Sequence, residues 1–110
     1  MKTIKYDKLI RDRIPEIMTN AGKTFVVKEM NDEEYLLKLK EKLIEEAKEV
    51  NVANEDEIIG ELADVMEIVN AIENAYSIDH DAVIDKQHRK AETNGKFEKK
   101  LLLKEVIEND

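Results

Sequence analysis

The sequence predicts a mainly α-helical protein, and three observations carry that prediction. Hydrophobic residues make up 42% and charged residues 40% of the 110-residue chain, with three Gly and one Pro, a balance that suits helices with charged outer faces. Leu, Ile and Val recur at three- and four-residue spacing through most of the chain, the period of a helix with one buried face. Asp32, Asn54 and Asp79 stand where those runs begin, as capping residues do. At this length the expectation is a single domain, residues 1–110, with a modest core. Its architecture is expected to be a four-helix bundle with a small two-stranded β element, residues 24–29 paired with residues 97–104, completed by oligomerisation.

Taken in order, Leu9, Ile10, Ile14, Ile17 and Met18 form an apolar stripe, Pro15 suits a first helical turn and Gly22 a helix end. A helix over residues 15–21 is predicted after a turn through residues 8–13. Lys8, Arg11 and Arg13 make this stretch basic, either as ordinary surface charge or as anion contacts. Residues 23–30, KTFVVKEM, carry the β-branched and aromatic signal of a short strand. One strand cannot stand alone. The run FEKKLLLKEV from Phe97 is its candidate partner, with a short terminal helix as the rival reading.

Asp32 as N-cap, followed by Glu33 and Glu34, opens a long helix to residue 50 or 52. Residues 51–54 read as a turn between antiparallel helices, with Asn54 as a possible cap, and the next helix covers residues 55–76. Residues 77–79 break the pattern, and Asp79 caps a fourth helix over residues 80–91. The turn TNGK, residues 93–96, ends it through Gly95.

At roughly 100° per residue, Leu36, Leu39, Leu43, Ala47 and Val50 form the stripe of the second helix. Glu46 lies at its boundary and Glu45 further out. The third helix is expected to bury Ile58, Leu62, Val65, Met66, Val69 and Ile72, and Glu61 falls inside that stripe with Asp64 at its edge. Glu55, Glu57, Glu67 and Glu73 fit a solvated face instead. A carboxylate on a buried face must be paired, hydrogen-bonded, neutralised or bound to metal. Lys42, one turn before Glu46, offers a structural salt bridge. The pairs Glu46 with Glu49 and Glu61 with Asp64, each three residues apart, offer a hard-cation cage. On pattern alone both readings stand.

Other function classes are disfavoured. A net charge of −8 argues against a nucleic-acid polymer as partner. The absence of Cys excludes disulfides, thiolate metal sites and a Cys nucleophile. No apolar run approaches the roughly 18 residues of a membrane span, and the basic N-terminus lacks a signal peptide's apolar region, so a cytoplasmic protein is expected. There is no Gly-rich phosphate loop or Ser–His pair, and His80 and His88 read as surface residues. Oxygen-only ligands suit Mg²⁺ or Mn²⁺ and a phosphate ester as substrate. The cluster Lys86, Arg89 and Lys90 is then a candidate phosphate contact, and Glu45 a group that orients or deprotonates water. That set describes metal-assisted hydrolysis of a phosphoanhydride.

The run EEAKE from Glu45, then eleven residues, then ELAD from Glu61, resembles the E-E-x-x-E … E-x-x-D signature of the all-α nucleoside triphosphate pyrophosphohydrolases. This is the MazG-like family, which includes phosphoribosyl-ATP pyrophosphohydrolase and dimeric dUTPases. The opening YDKLIRDRIPEI, the segment EYLLKLKEKLIEEAKEV, and Lys86, Arg89, Asn94, Gly95 and Phe97 in a K-x-x-R … N-G-x-F pattern resemble a small MazG-like subgroup. The resemblance implies a MazG-like bundle in which Glu46, Glu49, Glu61 and Asp64 hold Mg²⁺ or Mn²⁺ and Glu45 assists the attacking water. Substrate contacts are expected from Lys42, Lys86, Arg89, Asn94, Lys8 and Arg11. The implied reaction cleaves an NTP between the α and β phosphates, in a homodimer or homotetramer with sites near the subunit interface. The lack of Trp and the plain NGKF form of the late motif leave the base open. Two other functions compete. One is a catalytically silent helical module that binds nucleotide or protein. The other is phosphoribosyl-ATP hydrolysis, which the opening from Lys8 to Pro15 disfavours.

Overall fold

Four helices form among residues 2–109, the residues that the structure, a computed structural model, describes. They are α1 (Ile14–Asn20), α2 (Asp32–Val52), α3 (Ile58–Ala75) and α4 (His80–Asn94). The chain divides into two compact units, one ending at Ile78 and the other beginning at Asp79.

In the first unit, α1 begins with Pro15 in its first turn and closes in a Schellman motif. There the N–H of Gly22 donates to the Thr19 carbonyl and that of Lys23 to the Met18 carbonyl, both at 3.0 Å. Gly22 supplies the left-handed φ of +74° that this closure needs. The end of α3 repeats the motif without a glycine. Ser77 donates to Asn74 at 3.1 Å, Ile78 donates to Glu73 at 2.8 Å, and Ser77 itself sits at φ +55°.

The cap of α2 is Asn31, whose Oδ1 accepts from the Glu34 N–H at 2.8 Å; Asp32, expected in that role, is the first helical residue instead. Between α2 and α3, Asn54 and Glu57 cap each other. Asn54 Oδ1 accepts from the N–H groups of Asp56 and Glu57, and Glu57 Oε1 accepts from the Asn54 N–H at 3.1 Å. This reciprocal box shapes the turn that folds α3 back along α2. At the far end the Lys40 ammonium lies 5.4 Å from the Tyr76 ring centroid.

The faces that meet are not quite those expected. Leu36, Leu39 and Leu43 turn inward on α2, and Leu39 is only 1% exposed. On α3 the inward line runs through Ile58, Glu61, Val65, Ile68 and Ile72. Leu62 and Met66, expected to be buried, are 49% and 65% exposed, because they lie one residue's rotation beyond that line. Ala47 is exposed as well, whereas Glu73, expected on the solvated face, is buried.

Mainly α structure is observed, but the two-stranded element is not. Among the described residues there is no strand. Residues 23–30 run without a ladder, and Val26 is 98% exposed. The stretch 97–104 is interrupted at its start by a turn in which the Lys100 N–H donates to the Phe97 carbonyl, with Lys100 at φ +58°. Such a left-handed residue breaks the extended run that its Leu content suggests. The rival terminal helix is also absent among residues 101–109.

In the second unit, Asp79 caps α4 through its Oδ1, which accepts from the Asp81 N–H at 3.1 Å. Gly95, at φ +82°, follows its last residue. No helix among the described residues is long and apolar enough to cross a membrane.

Candidate metal centre

The α2–α3 pairing brings carboxylates from two helices together. Glu46, Glu61 and Asp64 each offer one oxygen, and the three oxygens lie within 4.8 Å of one another. Ligands on a Mg²⁺ octahedron with bonds of about 2.1 Å lie about 3.0 Å apart when adjacent and about 4.2 Å apart when opposite, so the trio would draw inward by side-chain rotation to hold a small divalent cation. An oxygen-only donor set suits Mg²⁺ or Mn²⁺ better than zinc. All three residues are half-buried, and the Glu46 side chain is 13% exposed.

Glu61 is electrostatically the least comfortable of the three. Partial burial, then the neighbouring charges of Asp64, Glu49, Glu46 and Glu57, lift its carboxyl above the ordinary value of 4.5. It forms no ion pair among the described residues, whereas its two neighbours each have one. Lys42 Nζ lies 3.7 Å from Glu46 Oε1 and 3.5 Å from Glu45 Oε1, and Arg11 Nη2 donates to Asp64 Oδ1 at 2.7 Å. The salt bridge weighed in the sequence forms at Glu46, and Glu46 also belongs to the trio, so the two readings overlap on the same carboxylates.

Glu49 stands apart. It is exposed and outside the trio, although its charge still acts on Glu61. Glu45 is held between Lys42 and Lys8, whose Nζ donates to Glu45 Oε1 at 3.4 Å. A hollow of about 30 Å³ bordered by Lys8, Lys42 and Glu45 has room for a water.

Lys8 and Arg11, expected from sequence as basic substrate contacts, instead engage carboxylates. The fold sets them against carboxylates 37 and 53 residues away, contacts that no periodicity encodes. Lys38, which the sequence did not single out, donates to the Asp7 carbonyl at 3.1 Å and fastens the same segment to α2. The remaining candidates, Lys86, Arg89 and Asn94, are exposed residues of α4 in the second unit. Lys86, Arg89 and Lys90 share one face of that helix by their spacing. His80 and His88 are exposed on it too.

Among known proteins, an uncharacterized protein of Mycolicibacterium smegmatis (strain ATCC 700084 / mc(2)155) is 43% identical over 47 residues. The matched part is 43% of this chain and 48% of the relative, so the chain spans about half the length of the curated relative it matches. No solved structure matches the chain. The family model described as phosphoribosyl-ATP pyrophosphohydrolase matches residues 4–91, which include every carboxylate of the α2–α3 cluster, and the chain belongs to that pyrophosphohydrolase family.

Proposed function

We propose that the chain is a Mg²⁺-dependent nucleoside triphosphate pyrophosphohydrolase that converts an NTP or dNTP to the monophosphate and pyrophosphate, with Mn²⁺ as a substitute ion. The convergence of Glu46, Glu61 and Asp64 within 4.8 Å, in a member of a pyrophosphohydrolase family, carries this reading. Glu49 joins them as an outer ligand from the exposed side. A divalent cation held by these carboxylates would supply Lewis-acid polarisation of phosphoryl oxygens. Glu45, beside a water-sized hollow, would orient an attacking water and accept its proton. Lys42, Lys8 and Arg11 meet phosphate oxygens from the N-terminal side of the cluster. The task is clearance of non-standard nucleotides from a cytoplasmic pool.

Phosphoribosyl-ATP is the second reading, favoured by the description of the matching family. Pyrophosphate release from a panel of NTPs, dNTPs and phosphoribosyl-ATP separates the two. Turnover of at least one NTP or dNTP with Mg²⁺ is expected. Turnover of phosphoribosyl-ATP alone would move the protein to nucleotide-linked biosynthesis, and no turnover anywhere would leave a silent binding module.

A second copy of the chain completes the fold in this account. Leu39 is the one fully buried apolar side chain among the described residues, while Leu37, Ile44, Leu62 and Met66 of the α2–α3 pair stay exposed. That is more apolar surface than a hairpin of this size leaves to water, and an isologous helix-on-helix contact covers it. Light scattering is expected to give the mass of a homodimer or homotetramer; a monomer would contradict it.

A further inference from the structure

The N-terminal segment ahead of α1 reaches the carboxylates assigned above to metal and water. Arg11 donates to Asp64 at 2.7 Å on α3, and Lys8 donates to Glu45 at 3.4 Å on α2. A third tie comes from α2 itself, where Lys38 Nζ donates to the Asp7 carbonyl. Asp7 adopts a left-handed φ of +48°, a conformation that Asp tolerates better than most residues and that turns the segment where Lys38 grips it. The segment is thus fastened to both helices of the cluster. Of its contacts, the one at Asp64 is the shortest and falls on a residue of the candidate metal trio.

A guanidinium at hydrogen-bond distance engages one oxygen of Asp64, leaving the other free, and it brings a positive charge next to the place where a divalent cation would stand. Like charges at that separation repel. Resting on the metal-centre reading, we propose that Arg11 is the built-in counter-cation of Asp64. It competes with the divalent ion at Asp64 and sets its affinity, and metal binding displaces it from that carboxylate. Arg11 is thereby a positioning residue, acting through Asp64. In the same state Lys8 engages Glu45, which lies outside the trio.

Titration of the full chain with Mn²⁺ by calorimetry, alongside Arg11→Gln and Arg11→Lys, tests this. The Arg11 side chain is 60% exposed, so neither change disturbs packing. Arg11→Gln is expected to bind Mn²⁺ roughly two- to fivefold tighter, the range of a partly exposed ion pair, and Arg11→Lys to stay near the wild type. Hydrogen exchange at residues 7–12 should quicken on adding Mn²⁺ to the wild type, and should already be fast in Arg11→Gln without it. Equal or weaker Mn²⁺ binding by Arg11→Gln overturns the counter-cation role while leaving the metal centre standing. Failure of both the wild type and Arg11→Gln to bind Mn²⁺ overturns the metal centre itself, and this inference with it.

Discussion

Replacing Glu61 by Gln is expected to lower Mg²⁺-dependent turnover at least about 100-fold, beyond the 10- to 100-fold typical for loss of an outer-shell partner, while making the cation-free fold more stable. The two effects have one cause. Four other carboxylates crowd Glu61, and the amide removes a charge that the folded state tolerates poorly without a cation. The sign with pH follows from linkage. The carboxyl titrates above its ordinary value of 4.5 in the folded chain, so the folded state takes up the proton first. The cost of the ionised Glu61 is fully present above its raised value and is relieved as pH falls through that value toward 4.5. Thermal midpoints in chelator should therefore show a stabilising contribution on mild acidification in the wild type that Glu61→Gln lacks. Metal affinity should weaken over the same interval, because protons compete for the same oxygens. A Glu61→Gln variant with intact turnover, or one less stable than the wild type in chelator, would contradict this assignment.

Leu39→Ala is expected to cost about 2–5 kcal/mol, the range for truncating a buried leucine. Leu39 is 1% exposed and lies on α2 between Leu36 and Leu43, against α3. A domain of this size holds a net stability of about 5–15 kcal/mol, so the change removes a large share and lowers the urea midpoint accordingly. Because Leu39 lies on the same helix as Glu46, activity should fall in step with the folded fraction. A loss below about 1 kcal/mol would mean that the exposed apolar face, covered by a second copy, carries the fold instead.

What could be read from the sequence was what local spacing encodes. The helices, the Gly22, Asp79 and Gly95 boundaries, and the inward position of Glu61 all follow from period and capping chemistry, and the structure agrees, whereas α3 starts only at Ile58, because Asn54 and Glu57 first close a turn over residues 54–57. Glu46 at a core boundary and Glu45 further out also match their exposures of 13% and 34%. What failed depended on partners. Residues 23–30 have the composition of a strand, but composition cannot supply a second strand, and the turn at Lys100 interrupts the candidate. Leu62 and Met66 are apolar and one rotation off the α2 contact, so their hydrophobicity overstated their burial within one chain. Glu73 was hidden for the converse reason, since a polar residue on a long helix gives no sign of what surrounds it. The ion pairs of Arg11 and Lys8 join residues far apart in sequence, which periodicity does not register. Asn31 and Asp32 are both good caps, and only the backbone decides between neighbours.

Phosphorus NMR of a reacting mixture tests the central claim most directly, because it identifies the bond that breaks. With Mg²⁺ and the nucleoside triphosphate that the panel selects, signals of the monophosphate and of pyrophosphate should rise together in equal amounts, and should vanish with chelator or with Glu61→Gln. Nucleoside diphosphate and orthophosphate as products, or product formation that Glu61→Gln does not diminish, would contradict it.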